Sequence, residues 1–232
     1  MDPVQAALAA VCGISFAGVW AGLAVQVVKI ARRGRLPPRF HPLLQALHAG
    51  RFVGWAWTGA ATLAADPVTG WLLIASRTPA TALVALTFLQ RKSPRPDRRT
   101  AVATVLGTFA LVGFGAWAAH ALSADAQWAT RVEQLLTAFL MLCFAAQLLW
   151  ALPRQILAAR QRPLGNLRWF QFALAASYAA TFVYSFFVRA EWVQTIMTAV
   201  YGIAFAEQAL LVFWIERGVR AKRRPQRASP AG

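Results

Sequence analysis

The stretch Gln147–Gln171, QLLWALPRQILAARQRPLGNLRWFQ, decides how the chain is read. An apolar segment runs into Pro153, and the polar pair Arg154–Gln155 follows. A short loop carrying Arg160, Arg162 and Arg168 comes next, and a second apolar segment begins. A long apolar run, a proline at its exit, a basic loop and another apolar run describe a chain that leaves a bilayer and re-enters it.

The rest of the sequence repeats that order. It is 232 residues long and 58% hydrophobic, and several runs approach or exceed the roughly 18 to 20 apolar residues that cross a bilayer. A soluble domain of this size does not carry so many. The expected fold class is therefore an all-α polytopic membrane protein. Seven spans are read at about 4–28, 42–64, 68–90, 101–122, 129–152, 168–188 and 191–215.

A net charge of +16 first suggests nucleic acid, but the placement of the cations excludes it. They collect in alternate loops: Lys29 to Arg39, Arg91 to Arg99, Arg154 to Arg168, and the tail from Arg217. The opposite side holds Arg131 and Arg189 among Asp2, Asp66, Asp125 and Glu191. The positive-inside rule then puts the N-terminus outside and the C-terminus in the cytoplasm. The start, MDPVQ, lacks the positive region of a signal peptide, so the first apolar run reads as a span. Cys12 and Cys143 lie inside apolar segments and read as buried thiols, not as a disulfide framework.

Helices 1–3 and 5–7 read as two copies of one unit at an offset near 126 residues. Lys29–Ile30 aligns with Gln155–Ile156, Pro37 with Pro163, and Gln45 with Gln171. With a one-residue slip, the acidic corner Asp66 aligns with Glu191. Helix 4 then links two parallel three-helix repeats, a 3+1+3 layout in which a substrate site lies near the midplane between the halves. The expected organisation is a first repeat over 1–93, a linker with helix 4 over 94–124, a second repeat over 125–218, and a basic cytoplasmic tail over 219–232.

Ionisable groups inside a span are costly and face the bundle interior or a water-filled cavity. Arg51 and Arg77 fall near the middle of helices 2 and 3, while Glu133 and Glu207 fall in helices 5 and 7. Steps of three and four place polar residues on single faces. On helix 2 the stripe is Gln45, His48, Arg51 or Trp55, Thr58 and Thr62. On helix 5 it is Thr130, Glu133, Thr137, Phe144 and Gln147. Helix 6 presents Gln171, Tyr178, Thr181 and Ser185. Helix 7 presents Gln194, Thr198, Tyr201, Phe205 and Gln208, with Glu207 beside them. Helix 4 has no such stripe.

The Gln147–Pro153 segment and the basic loop after it resemble the PQ-loop superfamily. This group includes the SWEET sugar transporters, the lysosomal cystine transporter and the KDEL receptor. Gln147 stands six positions before Pro153, where that superfamily carries a polar residue. The stretch LLQALHAGRFVGW, Leu43–Trp55, is similar to helix 2 of the KDEL receptor, whose ligand-binding arginine matches Arg51. The receptor's arginine after the helix 6 tyrosine is replaced by Ala179. The SWEET asparagines correspond to Thr198 on helix 7 and to the neighbourhood of Arg77 on helix 3. The resemblance implies a SWEET-like transporter fold with Pro153 as a hinge.

The expected function is transport of a small polar or anionic solute by alternating access. The substrate-binding set is Arg51, Trp55, Arg77, Gln147, Tyr178, Thr198, Tyr201, Glu207 and Gln208. The alternative is a seven-helix receptor or sensor that binds a ligand without moving it. A retinal sensor is excluded because Lys29, Lys92 and Lys222 all lie at helix ends. An enzyme is not expected: His41, His48 and His120 cannot converge on a metal, and no nucleophile triad or phosphate-cradling glycine loop is present. No cofactor is expected. The expected partners are a small solute, the lipid bilayer and, as an open alternative, further copies in a homo-oligomer. The expected location is a bacterial inner membrane.

Overall fold

The computed structural model describes residues 3–35, 42–147 and 149, and all regular structure among them is helical. The helices are α1 (Pro3–Arg33), α2 (Pro42–Thr62), α3 (Pro67–Lys92), α4 (Arg98–Ser123) and α5 (Ala126–Ala146). Three of them, α3, α4 and α5, are long and apolar enough to cross a membrane. The sixth and seventh expected spans and the Arg154–Gln155 loop lie outside the described residues. The chain divides into two compact units, one of Leu23–Ala151 and one of Met1–Gly22 with Leu152–Gly232. The first holds the C-terminal end of α1 and all of α2 to α5.

Helix starts follow from local chemistry. Pro3, Pro42 and Pro67 each open a helix, where the missing N–H of proline would have had no partner anyway. Three aspartates supply the remaining caps. Asp66 Oδ1 accepts from the Thr69 N–H at 3.0 Å, and Asp66 Oδ2 from the Thr69 hydroxyl at 2.7 Å. Asp97 repeats the arrangement on Thr100, at 2.9 and 2.6 Å. Asp125 accepts from the Gln127 N–H at 2.8 Å. A carboxylate here both satisfies orphan donors and complements the positive end of the helix dipole.

Helix α1 runs past its expected end near residue 28, through Lys29, Arg32 and Arg33. These side chains favour a helix C-terminus, and the turn stops only at Gly34, whose φ of +64° suits glycine. The linker returns to close this end. Arg95 Nε donates to the Ala31 carbonyl at 2.7 Å and its Nη2 to the Arg32 carbonyl at 3.2 Å. Gln90 Nε2, from α3, donates to the Val27 carbonyl at 2.8 Å.

Helix α2 is the hub, packing against α3, α4 and α5. Glycines let the backbones approach. A Cβ on Gly59 would meet the Gly70 carbonyl oxygen of α3 at 2.7 Å, and a Cβ on Gly70 would meet the Gly59 carbonyl oxygen at the same distance. On the α5 side, a Cβ on Gly54 would fall 2.9 Å from Leu140 Cδ2. On the α4 side, the Trp57 indole lies across Gly115 and donates to the Val112 carbonyl at 3.1 Å. Ala60, Ala116, Ala119 and Val132 fill the space where α2, α4 and α5 meet. Helix α4 otherwise faces outward: only Val112, Ala116 and Ala119 on it are buried.

Two measurements test these constraints. Gly59→Ala forces a methyl onto a backbone oxygen, so it should cost about 1–3 kcal/mol in thermal unfolding in detergent. Gly107→Ala fills open space and should be neutral or stabilise by up to about 1 kcal/mol through helix propensity. The second concerns Asp97, whose carboxyl is held below its ordinary value, first by the Thr100 hydroxyl and then by the Thr100 N–H. Because the folded form has the lower pKa, the cap's contribution is full above the unfolded-state value and is lost as pH falls through the folded one. The Thr100 amide resonance should therefore titrate at acid pH in the wild type and stay flat in Asp97→Asn.

Candidate functional site

The polar stripe expected on helix 2 is the buried face of α2. Gln45, His48, Arg51 and Trp55 are all buried, and Arg51 is 1% exposed. An arginine so enclosed must be held by specific partners. Arg51 Nη1 donates to Gln147 Oε1 at the end of α5. Its guanidinium also lies 3.9 Å from the centre of the Phe144 ring, a cation–π contact. Phe144 and Gln147 are three apart and share one face of α5, so one arginine meets both. Arg51 makes further interactions beyond these two.

Glycine spacing sets the distance across which this happens. Gly50 and Gly54 flank Arg51 one turn apart on α2. A Cβ on Gly50 would touch Cys143 Sγ at 3.4 Å, and one on Gly54 would press on Phe139 and Leu140. Helix α5 can thus lie directly on α2 at the level of the guanidinium. The Gly-x-x-x-Gly spacing at 50–54 is the sequence signal for this contact, and the charge pattern of helix 2 does not reveal it.

Helix α5 changes pitch where it meets Arg51. Its backbone widens to π-helix at Gln147 and Leu149, just ahead of Pro153. A proline has no N–H to return to the preceding turn, so the turn before it loses a regular hydrogen bond. Such single-turn widenings are frequent at functional positions. Pro153 itself lies outside the described residues.

Arg77, on α3, is also 1% exposed. Its guanidinium lies 5.8 Å from the ring centre of Phe52, the residue next to Arg51. Neighbouring residues of α2 thus meet α3 and α5: Phe52 lies by the Arg77 guanidinium, and Arg51 by Phe144. Two residues after Arg77, Pro79 sits inside α3, so the Ala75 carbonyl has no N–H from position 79 to accept.

The structure brings Arg51 and Gln147 into contact, buries Trp55 one turn from Arg51, and places Arg77 across Phe52. Tyr178, Thr198, Tyr201, Glu207 and Gln208 lie outside the described residues. Other expected stripe members have local roles. The hydroxyls of Thr58 and Thr62 donate to the Gly54 and Gly59 carbonyls of their own helix. Ser76, Thr78, Thr81 and Thr87 do the same on α3. Glu133 and Thr130 are exposed on α5 and do not join the buried cations. His120 Nδ1 stands 3.2 Å from the Ala60 carbonyl and ties α4 to α2.

No family model, curated protein or solved structure matches this chain.

The Arg51–Gln147 contact is measurable by a double-mutant cycle. Gln147→Leu removes the acceptor of a buried, charged donor and should cost about 1–3 kcal/mol or more. Arg51→Met should make Gln147→Leu much less costly, giving a coupling energy of about 1.5–3 kcal/mol in thermal unfolding. Simple additivity would remove the contact from the account.

Proposed function

We propose that the protein is a membrane transporter of a small polar or anionic solute, working by alternating access between two three-helix repeats joined by helix 4. In this reading it has seven spans in a 3+1+3 layout, a PQ-loop or SWEET-like architecture, an external N-terminus and a cytoplasmic C-terminus. Its location is a bacterial inner membrane. It acts without a cofactor and performs no bond chemistry. The observation that carries the reading is the buried Arg51 guanidinium, held by Gln147 and Phe144. It joins α2 to α5, which this reading assigns to the first and the second repeat, and such folds bind substrate between their repeats.

The chemistry of the set supports an anionic or zwitterionic group as ligand. Arg51 offers a planar fork of donors that suits a carboxylate or phosphate. Arg77, by Phe52 on the neighbouring helix, adds a second buried cation. Trp55 supplies an apolar wall. From the second repeat, Tyr178, Thr198, Tyr201 and Gln208 would complete the site, and Glu207 would act as counter-charge or proton carrier. The π-widened end of α5 ahead of Pro153, and Pro79 within α3, are the places where a helix can bend without breaking further hydrogen bonds.

Flux into proteoliposomes, run over a panel of carboxylates, amino acids and sugars, tests the proposal. Wild type should transport at least one anionic or zwitterionic member. Arg51→Leu should reduce that flux at least about tenfold with expression unchanged. Arg51→Lys should fail to restore it, because an ammonium keeps the charge and loses the fork. Full uptake by Arg51→Leu would overturn the assignment of Arg51. Saturable ligand binding without flux would make the protein a receptor.

A further inference from the structure

The junction of α1, α3 and α4 carries a cationic patch that no carboxylate pairs with among the described residues. Arg95 fastens the 93–97 linker onto the last carbonyls of α1, which brings the basic end of α1 beside the basic linker. Arg32 and Arg33 come from α1, Arg91 and Lys92 from the end of α3, and Arg98 and Arg99 from the start of α4; all six are exposed. The carboxylate among them is Asp97, and both of its oxygens are committed to Thr100. Among the described residues, none of these six cations forms an ion pair or a hydrogen bond.

The depth of the patch is set by helix length. Helix α3 has 26 residues and α4 has 26. At 1.5 Å per residue each is about 39 Å long, against a hydrocarbon thickness of about 30 Å. Helices of that length leave their final turns in the headgroup layer. The cations at the end of α3 and the start of α4 thus fall at the level of phospholipid phosphates, and the Arg95 bonds tie the linker between them to α1.

We propose that this junction is a binding surface for anionic phospholipid headgroups, with Arg91, Lys92, Arg98 and Arg99 as the phosphate-facing cations. Arg95 is its positioning residue: its guanidinium is turned inward to α1 and serves to hold the linker in place. The proposal goes beyond the transport reading and requires only that α3 and α4 cross the bilayer. A surface of this kind acts on the folded protein after insertion, which separates it from charge that only sets topology.

The test is thermal unfolding in detergent, titrated with phosphatidylglycerol, with phosphatidylcholine and with sodium phosphate, beside native mass spectrometry of retained lipid. Phosphatidylglycerol should raise the melting temperature saturably, by several degrees, while the other two do not. The double variants R91Q/K92Q and R98Q/R99Q should each weaken the apparent affinity about tenfold. Retained phosphatidylglycerol on the wild type should fall as salt rises, a readout that does not depend on any variant folding. Equal shifts with both lipids, salt-insensitive retention, or undiminished response of both variants would overturn the proposal. A shift with sodium phosphate equal to that with phosphatidylglycerol would do the same, because the site would then belong to a soluble anion.

Discussion

Close backbone approach around α2 is the constraint on which the rest of this unit depends. A helix in an apolar surround gains little from burying one more leucine, because lipid is as apolar as its neighbours. Contact must instead come from surfaces that fit. Helix α2 fits by removing side chains: Gly59 against Gly70 of α3, and Gly50 and Gly54 against α5. Its fit to α4 is the reverse, with the Trp57 ring lying in the gap that Gly115 leaves. The buried cation depends on this arrangement. A side chain at 54 would press on Leu140 and Phe139 and push α5 away from the level at which Gln147 and Phe144 meet Arg51.

Polarity in the unit divides into three kinds. Apart from Thr69 and Thr100, which donate to the capping aspartates, threonine and serine hydroxyls such as Thr58, Thr78, Thr87 and Thr104 turn back to their own helix carbonyls. The guanidiniums of Arg51 and Arg77 stand at the end of long side chains and carry several donors each. That of Arg51 is met by Gln147 and Phe144 of α5, which ties α2 to a helix distant in sequence. The aspartates follow a third course: Asp66, Asp97 and Asp125 all serve helix starts, so among the described residues none of them pairs with the surface cations around Asp97.

Much of this was legible in the sequence. Periodicity placed Gln45, His48, Arg51 and Trp55 on one face, and that face is buried. The same reading put Gln147 on the inner side of α5, where it meets Arg51. The Asp66 corner and the lack of a polar stripe on helix 4 also agree with the structure. Other features were not legible, for physical reasons. Arg95 looks like any loop cation, because its role depends on where the linker returns in space. Thr58 and Thr62 look like members of a polar stripe, because sequence does not say whether a hydroxyl bonds outward or to its own turn. Glu133 counts as embedded by position along the helix, yet the side of α5 it occupies is exposed.

Pro79 gives α3 a mechanical character that composition alone conceals. On one side of it, the helix is fused to α2 at Gly70. On the other, it is tethered to α1 through Gln90 and to the linker that Arg95 clasps. The proline interrupts the hydrogen-bonded ladder between these two attachments. Helix α3 is thus one continuous helix with a missing rung between its two attachments, a point where a bend breaks no further backbone hydrogen bond, and Arg77 stands two residues before it.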